Sequence, residues 1–343
     1  MIQKSTRSSA IFFLEYISTY GLINIQKHIK LLWRVLLISI IIMSMTSKSY
    51  AKPKYSSFVI DVKTKQTNGF KQDELRYPAS LTKMMTLYIV FEYLQSKKIH
   101  LNTKVPVSYT AARQNPSKLY LKEKTNFTIE KGILALITRS ANDVSTAFGE
   151  FISGSEKKFA ILMSNKAKEI GMKNTIYKNA SGLHDKNQVT TARDQAILGI
   201  MLRKKFPEYY KYFSVRKFRY KNRIIMNHNK LLNKMHGIDG IKTGYTRNSG
   251  FNIVTSLQYK DNSIVAVVMG MQTYQARDQK ALELISSFSN KKIFKNKQTS
   301  KKNDITFISP KKYLIIKQIR DKSHKSQSKI NNKLNKYDRN DKR

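Results

Sequence analysis

The sequence predicts an α+β fold, an antiparallel sheet with helices packed on it. Two observations carry this. One strand-like run lies early, helical runs fill the middle, and three strand-like runs and a helix come last. That order differs from the strand–helix–strand alternation of a parallel sheet. The last two strand-like runs are also joined by a short polar turn, as in an antiparallel hairpin. The early strand must join a sheet built mainly from the C-terminal part, so 52–290 reads as a single unit.

Each element has a local reason. "YSSFVIDVKT", Tyr55–Thr64, is β-branched and apolar between polar flanks and reads as a strand. Pro78 precedes "LTKMMTLYIVFEYL", which is too long for one strand and reads as a buried helix starting around Ser80. The intervening "KTKQTNGFKQDELR" is assigned no element and holds no motif residue. "IEKGILALITRSANDVSTAFGEFIS" reads as two helical runs meeting near Arg139–Asp143. "TARDQAILGIMLRKKF", Thr191–Phe206, is a further helix with a Thr or Asp start. "GIDGIKTGYT", "GFNIVTSLQY" and "SIVAVVMGMQ" are strands, the last two joined through "KDN". "ARDQKALELISSFSN" closes the unit as a helix. Residues 291–343 shift to Lys, Asn, Ser and Gln and read as a basic, largely disordered tail, in which only "ITFIS" and "YLIIKQI" are able to pack.

Composition narrows the function classes. The chain has 343 residues, 41% of them apolar, enough for a real core. Its 64 basic and 22 acidic side chains give a net charge of +42. Such a balance raises nucleic acid or an anionic membrane as a partner. The lysines are spread along the chain, however, with no Gly-rich phosphate loop or aromatic RNA-binding signature beside them. No nucleic-acid partner is expected. The absence of cysteine excludes disulfides, thiolate catalysis and Cys-ligated metal. The six histidines form no local metal motif, and His184, His228 and His236 read as structural or surface residues. Neither a metal nor another cofactor is expected.

The N-terminus carries an address. Basic Lys27, Lys30 and Arg34 precede an apolar run from Val35 to about Met45, and small Ser49 and Ala51 then suit cleavage after Ala51. This is the order of a secretory signal, and the run is short for a membrane span. Residues 1–51 therefore read as an extension plus signal peptide, and the protein as exported. A retained anchor, and association with the outer face of the inner membrane, stay open.

Three short motifs follow one another: Ser80-Leu-Thr-Lys83, Ser140-Ala-Asn142 and Lys242-Thr243-Gly244. A bare Ser-x-x-K is weak, since it recurs at Ser49/Lys52, Ser155/Lys158 and Ser214/Lys217. K-T-G occurs once. In this order the three resemble the motif set of penicillin-binding proteins and class A β-lactamases. A serine hydroxyl needs a neighbour to take its proton. Lys83, on the same helix face as Ser80, can do so if burial and a second cation, Lys242, lower its pKa. Ser140 is placed to relay a proton to the leaving group, and Asn142 to hold a substrate amide. Lys242 and Thr243 suit a substrate carboxylate. Gly244 lets another backbone approach closely, and the N–H groups of Ser80 and Tyr245 suit an oxyanion hole.

With "YPASLTKMMT", "SANDVSTAFGEFISGS", "NASGLHD", "FPEYYKYFS", "NHNKLL" and "GIDGIKTGYTRNSGFNIVTS", the chain resembles the serine-type D-alanyl-D-alanine carboxypeptidases, the low-molecular-weight penicillin-binding proteins. The resemblance runs from Tyr55 to about Asn290. It implies an acyl-enzyme peptidase acting on peptidoglycan stem peptides that end in D-Ala-D-Ala, with β-lactams as covalent inhibitors and a periplasmic location. It also implies the transpeptidase-like fold, a sheet between helices with a helical subdomain bearing the second motif. The β-rich domain that often follows in the family has no counterpart in the basic tail, and "KKYLIIKQIRDK" is a faint candidate for an amphipathic anchor. A DD-endopeptidase stays open on the same chemistry. A β-lactamase of class A would need an extra Glu, and Glu156 and Glu169 lack the expected Leu-Asn context. A non-catalytic wall or divisome scaffold is the remaining alternative, although every motif residue is present.

Overall fold

The computed structural model describes residues 30–39, 54–259 and 262–289. The chain divides into two units, Met1–Ala51 and Lys52–Arg343. In the first, 30–39 form an exposed helix. The cleavage site after Ala51 and the basic tail lie outside the described residues. No helix among them is long and apolar enough to cross a membrane.

The second unit is built on a five-stranded antiparallel sheet. Its strands are β1 (Ser56–Asp61), β2 (Thr67–Phe70), β7 (Ile238–Thr246), β8 (Gly250–Tyr259) and β9 (Asn262–Met271), ordered β2-β1-β9-β8-β7. The early strand thus joins the C-terminal hairpin, as its order in the chain requires. β9 sits in the middle and is covered on both faces. Val265, Val267 and Met269 enter one apolar cluster, and Ile264, Ala266 and Val268 enter the other. Strand alternation distributes the two sets, so the sequence reads as one apolar run. Lys260 and Asp261 of the hairpin turn lie outside the described residues, but Tyr259 and Asn262 pair across it. The exposed edge strand β2 falls within a segment to which the sequence reading assigned no element, where polar Thr67 and Asn68 and then Gly69 give no apolar signal.

Helix α1 (Thr82–Gln95) runs through the middle of the larger cluster, and 11 of its 14 residues are buried. It is covered all round, which is why it lacks a polar stripe. A helical region holds α3 (Ile129–Thr138), α4 (Asn142–Ser153) and α5 (Glu156–Glu169), after the short α2 (Tyr109–Ala112). The sequence reading assigned α3 and α4 but not α5, whose polar face masks buried Phe159, Ala160, Met163 and Ala167. Two small antiparallel pairs accompany the helices, β3 (Lys104–Pro106) with β4 (Asn126–Thr128), and β5 (Lys217–Tyr220) with β6 (Arg223–Met226).

Helix α6 (Ala192–Lys205) covers one face of the sheet. Gly199 lets it come close, since a Cβ there would lie 3.0 Å from Ile241 and 3.4 Å from Val254 and Val265. After the short α7 (Pro207–Tyr210), the chain returns to the sheet, and α8 (Tyr274–Phe288) covers the other face through Ala281, Leu284 and Ile285. Thr128, Ser155, Thr191 and Thr273 cap α3, α5, α6 and α8 by accepting backbone N–H bonds.

Candidate active site

The fold separates the Ser-x-x-K copies named above. Ser155 Oγ accepts from the Lys158 backbone N–H and caps α5. Ser214 Oγ donates to the Lys211 carbonyl in a 3₁₀ turn, with Lys217 exposed. Ser49/Lys52 lies outside the described residues. Only Ser80/Lys83 opens onto a cleft.

Ser80 sits in a single 3₁₀ turn, Ala79–Leu81, leading into α1. Ala79 has φ +49, a left-handed backbone that a non-glycine residue adopts at a cost of roughly 1–3 kcal/mol. Two contacts hold this turn in place. Asn252 on β8 donates Nδ2 to the Tyr77 and Pro78 carbonyls at 3.0 and 3.2 Å and accepts from Gly270 N–H. Gly244 on β7 lies against it. A Cβ there would stand 3.1 Å from Pro78 O and Ser80 N, and 3.2 Å from Leu81 N.

Lys83 lies one helical turn on and is fully buried. Its Nζ has three neighbours: Ser80 Oγ at 3.2 Å, Asn142 Oδ1 at 2.7 Å and the Ser181 carbonyl at 2.5 Å. Burial drives its pKa well below the usual lysine value, and the Lys242 charge adds to the depression. Asp143 and Glu156 pull the other way. Lys242 is itself buried and donates Nζ to the Thr243 carbonyl at 2.9 Å. Burial first, then the Arg277 cation, push it down to about 7.

The second motif joins α3 to α4. Ser140 has φ +60. Its buried hydroxyl has no protein partner among the described residues. A hydroxyl left unpaired at a buried position costs stability unless a ligand or water completes it. Asn142 opens α4, and its amide is engaged at both ends, accepting from Lys83 and donating Nδ2 to Asn115 O at 2.8 Å. Its carbonyl oxygen meets the lysine with one lone pair, and the second lone pair and the second Nδ2 proton are what it has left for a ligand.

A cleft of about 720 Å³ brings the motifs together. Ser80, Ser140, Asn142, Thr243, Gly244 and Tyr245 line it, while Lys83 and Lys242 lie beneath its surface. Because β7 is an edge strand, one row of its N–H and C=O groups is free of the ladder and borders this cleft. Tyr245 is 55% exposed and stacks on Phe251, ring centroids 4.2 Å apart.

Sequence reasoning missed four contributors. The Ser181 carbonyl, a backbone group, leaves no residue signature. Gly182 (φ +85) packs so tightly on Ala79 that a Cβ would overlap its carbonyl. Buried Arg277 lines the cleft and holds Asp278 at 2.6 Å. His228 also lines it, exposed at the cleft surface, where partial desolvation and then Lys242, Arg139, Lys83 and Arg277 depress its pKa to about 4. Only the adjacent Asn227-His228-Asn229 text pointed there. Among the described residues no group of three or more His, Asp and Glu is placed to hold a metal.

The arrangement suits acyl transfer: a nucleophile beside a depressed lysine, an unpaired hydroxyl, and a cationic wall. Residues 50–273 match the family model for D-alanyl-D-alanine carboxypeptidase. The chain is 34% identical over 262 residues to the D-alanyl-D-alanine carboxypeptidase DacA of Haemophilus influenzae, covering 75% of this chain and 65% of that protein. It thus spans just under two thirds of that relative's length. Penicillin-binding protein 5 from the same organism superimposes with TM-score 0.65 at 33% identity, over 69% of this chain and 72% of that one. Penicillin-binding protein D2 of Listeria monocytogenes, solved in an ampicillin-bound form, gives 0.62 at 25% identity, over 68% and 96%.

Proposed function

The chain belongs to the D-alanyl-D-alanine carboxypeptidase family, and on that premise we propose that it is a serine D-Ala-D-Ala carboxypeptidase of peptidoglycan metabolism, with 52–290 as its catalytic unit. One observation carries the reading. Three motifs distant in sequence meet at one cleft, where Lys83 bonds both Ser80 and Asn142, 59 residues on.

Ser80 Oγ attacks the carbonyl carbon between the two terminal D-alanines of a stem peptide as its proton passes to Lys83. The oxyanion forms against the backbone N–H groups of Ser80 and Tyr245. Collapse breaks the C–N bond, and the departing amine takes a proton through Ser140, whose free hydroxyl suits the relay. Free D-Ala leaves. Water then attacks the ester, its proton returns by the same groups, and Ser80 is regenerated. Lys242, Thr243 and Arg277 supply charge and hydroxyl for the terminal carboxylate. The Nδ2 of Asn142 is available to a substrate carbonyl. A β-lactam mimics the scissile amide and carboxylate and leaves Ser80 acylated, and the ampicillin-bound relative supports this. The signal-like N-terminus supports export to the periplasm, with the inner-membrane face as the nearest surface.

The test is D-Ala release from a stem pentapeptide by protein lacking residues 1–51, with and without Ser80. Release that vanishes in Ser80→Ala is expected. Penicillin labelling without any D-Ala release in the wild type would leave a binding scaffold instead.

A further inference from the structure

Glu156 stands outside the motifs and outside the cleft lining, yet it touches the wall that holds Lys83. It begins α5, just after the Ser155 cap. Its Oε1 accepts from the Ala180 backbone N–H at 3.0 Å and from Thr146 Oγ1 at 3.2 Å. Ala180 precedes Ser181, whose carbonyl accepts from Lys83. The same turn is held from α1, where Thr86 Oγ1 donates to Ala180 O at 2.7 Å. Asn179 Oδ1 takes the Gly182 N–H at 2.7 Å. Gly182 then presses on the Ala79 carbonyl, next to the nucleophile. The Ala180–Gly182 turn thus links Glu156 to both reacting side chains.

We propose that Glu156 is a positioning residue for acylation: it fixes the Ala180–Gly182 turn that anchors Lys83 and keeps a carboxylate beside that turn. The inference rests on the acyl-enzyme reading above. The groups facing Lys83 are Lys242 from β7, Asp143 from α4 and Glu156 from α5. Lys242 disfavours the ammonium form, and the two carboxylates favour it. Asp143 is bound by the backbone N–H groups of Leu119, Leu121 and Val144. Glu156 has one backbone donor, from the turn that meets Lys83, so it couples geometry and charge at once. Burial raises its own pKa, as expected for a carboxylate with few donors.

Glu156→Gln separates the two roles, since an amide oxygen still accepts from Ala180 N–H but the charge is gone. The full chain is acylated with a fluorescent penicillin across pH, with thermal melting to check folding. In Glu156→Gln the acidic limb of the acylation rate is expected to move down by roughly 0.5–1 pH unit, with most of the plateau rate retained. In Glu156→Ala the plateau is expected to fall about tenfold, as a bond to a charged acceptor is lost. If Glu156→Gln leaves the limb unmoved, or slows only deacylation, the proposal is overturned. Should Glu156→Ala not fold, the Glu156→Gln limb still decides. Wild-type protein that takes no label fails the acyl-enzyme reading itself, a distinct result.

Discussion

The Ser181 carbonyl accepts a hydrogen bond from Lys83 Nζ, and this contact fixes where the lysine's lone pair can point. A neutral amine has two N–H bonds and one lone pair. Two of its neighbours, Ser181 O and Asn142 Oδ1, can only accept. Both N–H bonds are therefore consumed. The third neighbour, Ser80 Oγ at 3.2 Å, is the one that can donate. Deprotonation of Lys83 aims its lone pair at the serine proton without any movement.

That geometry needs a lysine able to lose its proton. Lys83→Arg keeps the charge and much of the length, but guanidinium does not deprotonate. Acylation is expected to fall at least 10³-fold, as far as in Lys83→Met, corresponding to about 4 kcal/mol or more. Rates of penicillin labelling measure it. An arginine variant within tenfold of wild type would remove the general-base assignment.

Gly244 is set by contact distance. Its missing Cβ leaves 3.1 Å to Pro78 O and Ser80 N, where nothing can give way but backbone. Gly244→Ala should push β7 from the Ser80 turn and lower acylation roughly 10–100-fold, since small misplacements of reacting groups are costly. Melting should shift only a few degrees. Unchanged acylation would show that the oxyanion site does not depend on this approach.

The buried Lys242 carries a stability penalty. Its folded pKa of about 7 lies below the 10.5 of the unfolded chain, so the unfolded state binds more protons between them. Stability from this group therefore rises with pH from about 7 to 10.5 and is lost below. Lys242→Met should raise the melting temperature at neutral pH while reducing acylation by carboxylate-bearing substrates at least tenfold. Denaturation at several pH values tests this; a less stable variant at pH 7 would contradict it.

His228 acts in the acidic range with the same sign. Its folded pKa of about 4 lies below 6.5, so the unfolded state binds more protons as pH falls. Stability should therefore fall between pH 6.5 and 4, by less than the full shift implies, because His228 is exposed and solvent screens its neighbours' charges. His228→Asn is expected to flatten that loss in urea titrations. A variant as acid-sensitive as wild type would shift the effect to other groups.

Ser155→Ala is the control among the Ser-x-x-K copies. It should cost about 1 kcal/mol through the lost α5 cap and leave acylation untouched. Loss of labelling in that variant would undo the distinction between the copies.

Much of this was legible along the chain. The apolar runs that became β1, β8 and β9 needed only their β-branched content and polar flanks, and the order of runs implied one sheet. The motif serines and lysines were legible because three weak motifs follow one another in a set order, with a K-T-G that occurs once. Strand β2 and helix α5 were not, since polar residues cover their signals and tertiary contacts stabilise them. Asn142 was read toward substrate alone; its bond from the buried Lys83 amine needed the tertiary structure.

What the sequence determined by itself is an inventory: which hydroxyls and amines are available, in which order, and on which kind of element. Tertiary structure decided the state of that inventory. A lysine's pKa depends on water excluded and on cations brought near from β7, and neither is a property of local sequence. The same holds for the Ser181 carbonyl and the Gly182 contact, supplied by backbone 98 or more residues from Lys83. Backbone groups are alike in every residue, so only the fold selects the one that points a lone pair at Ser80.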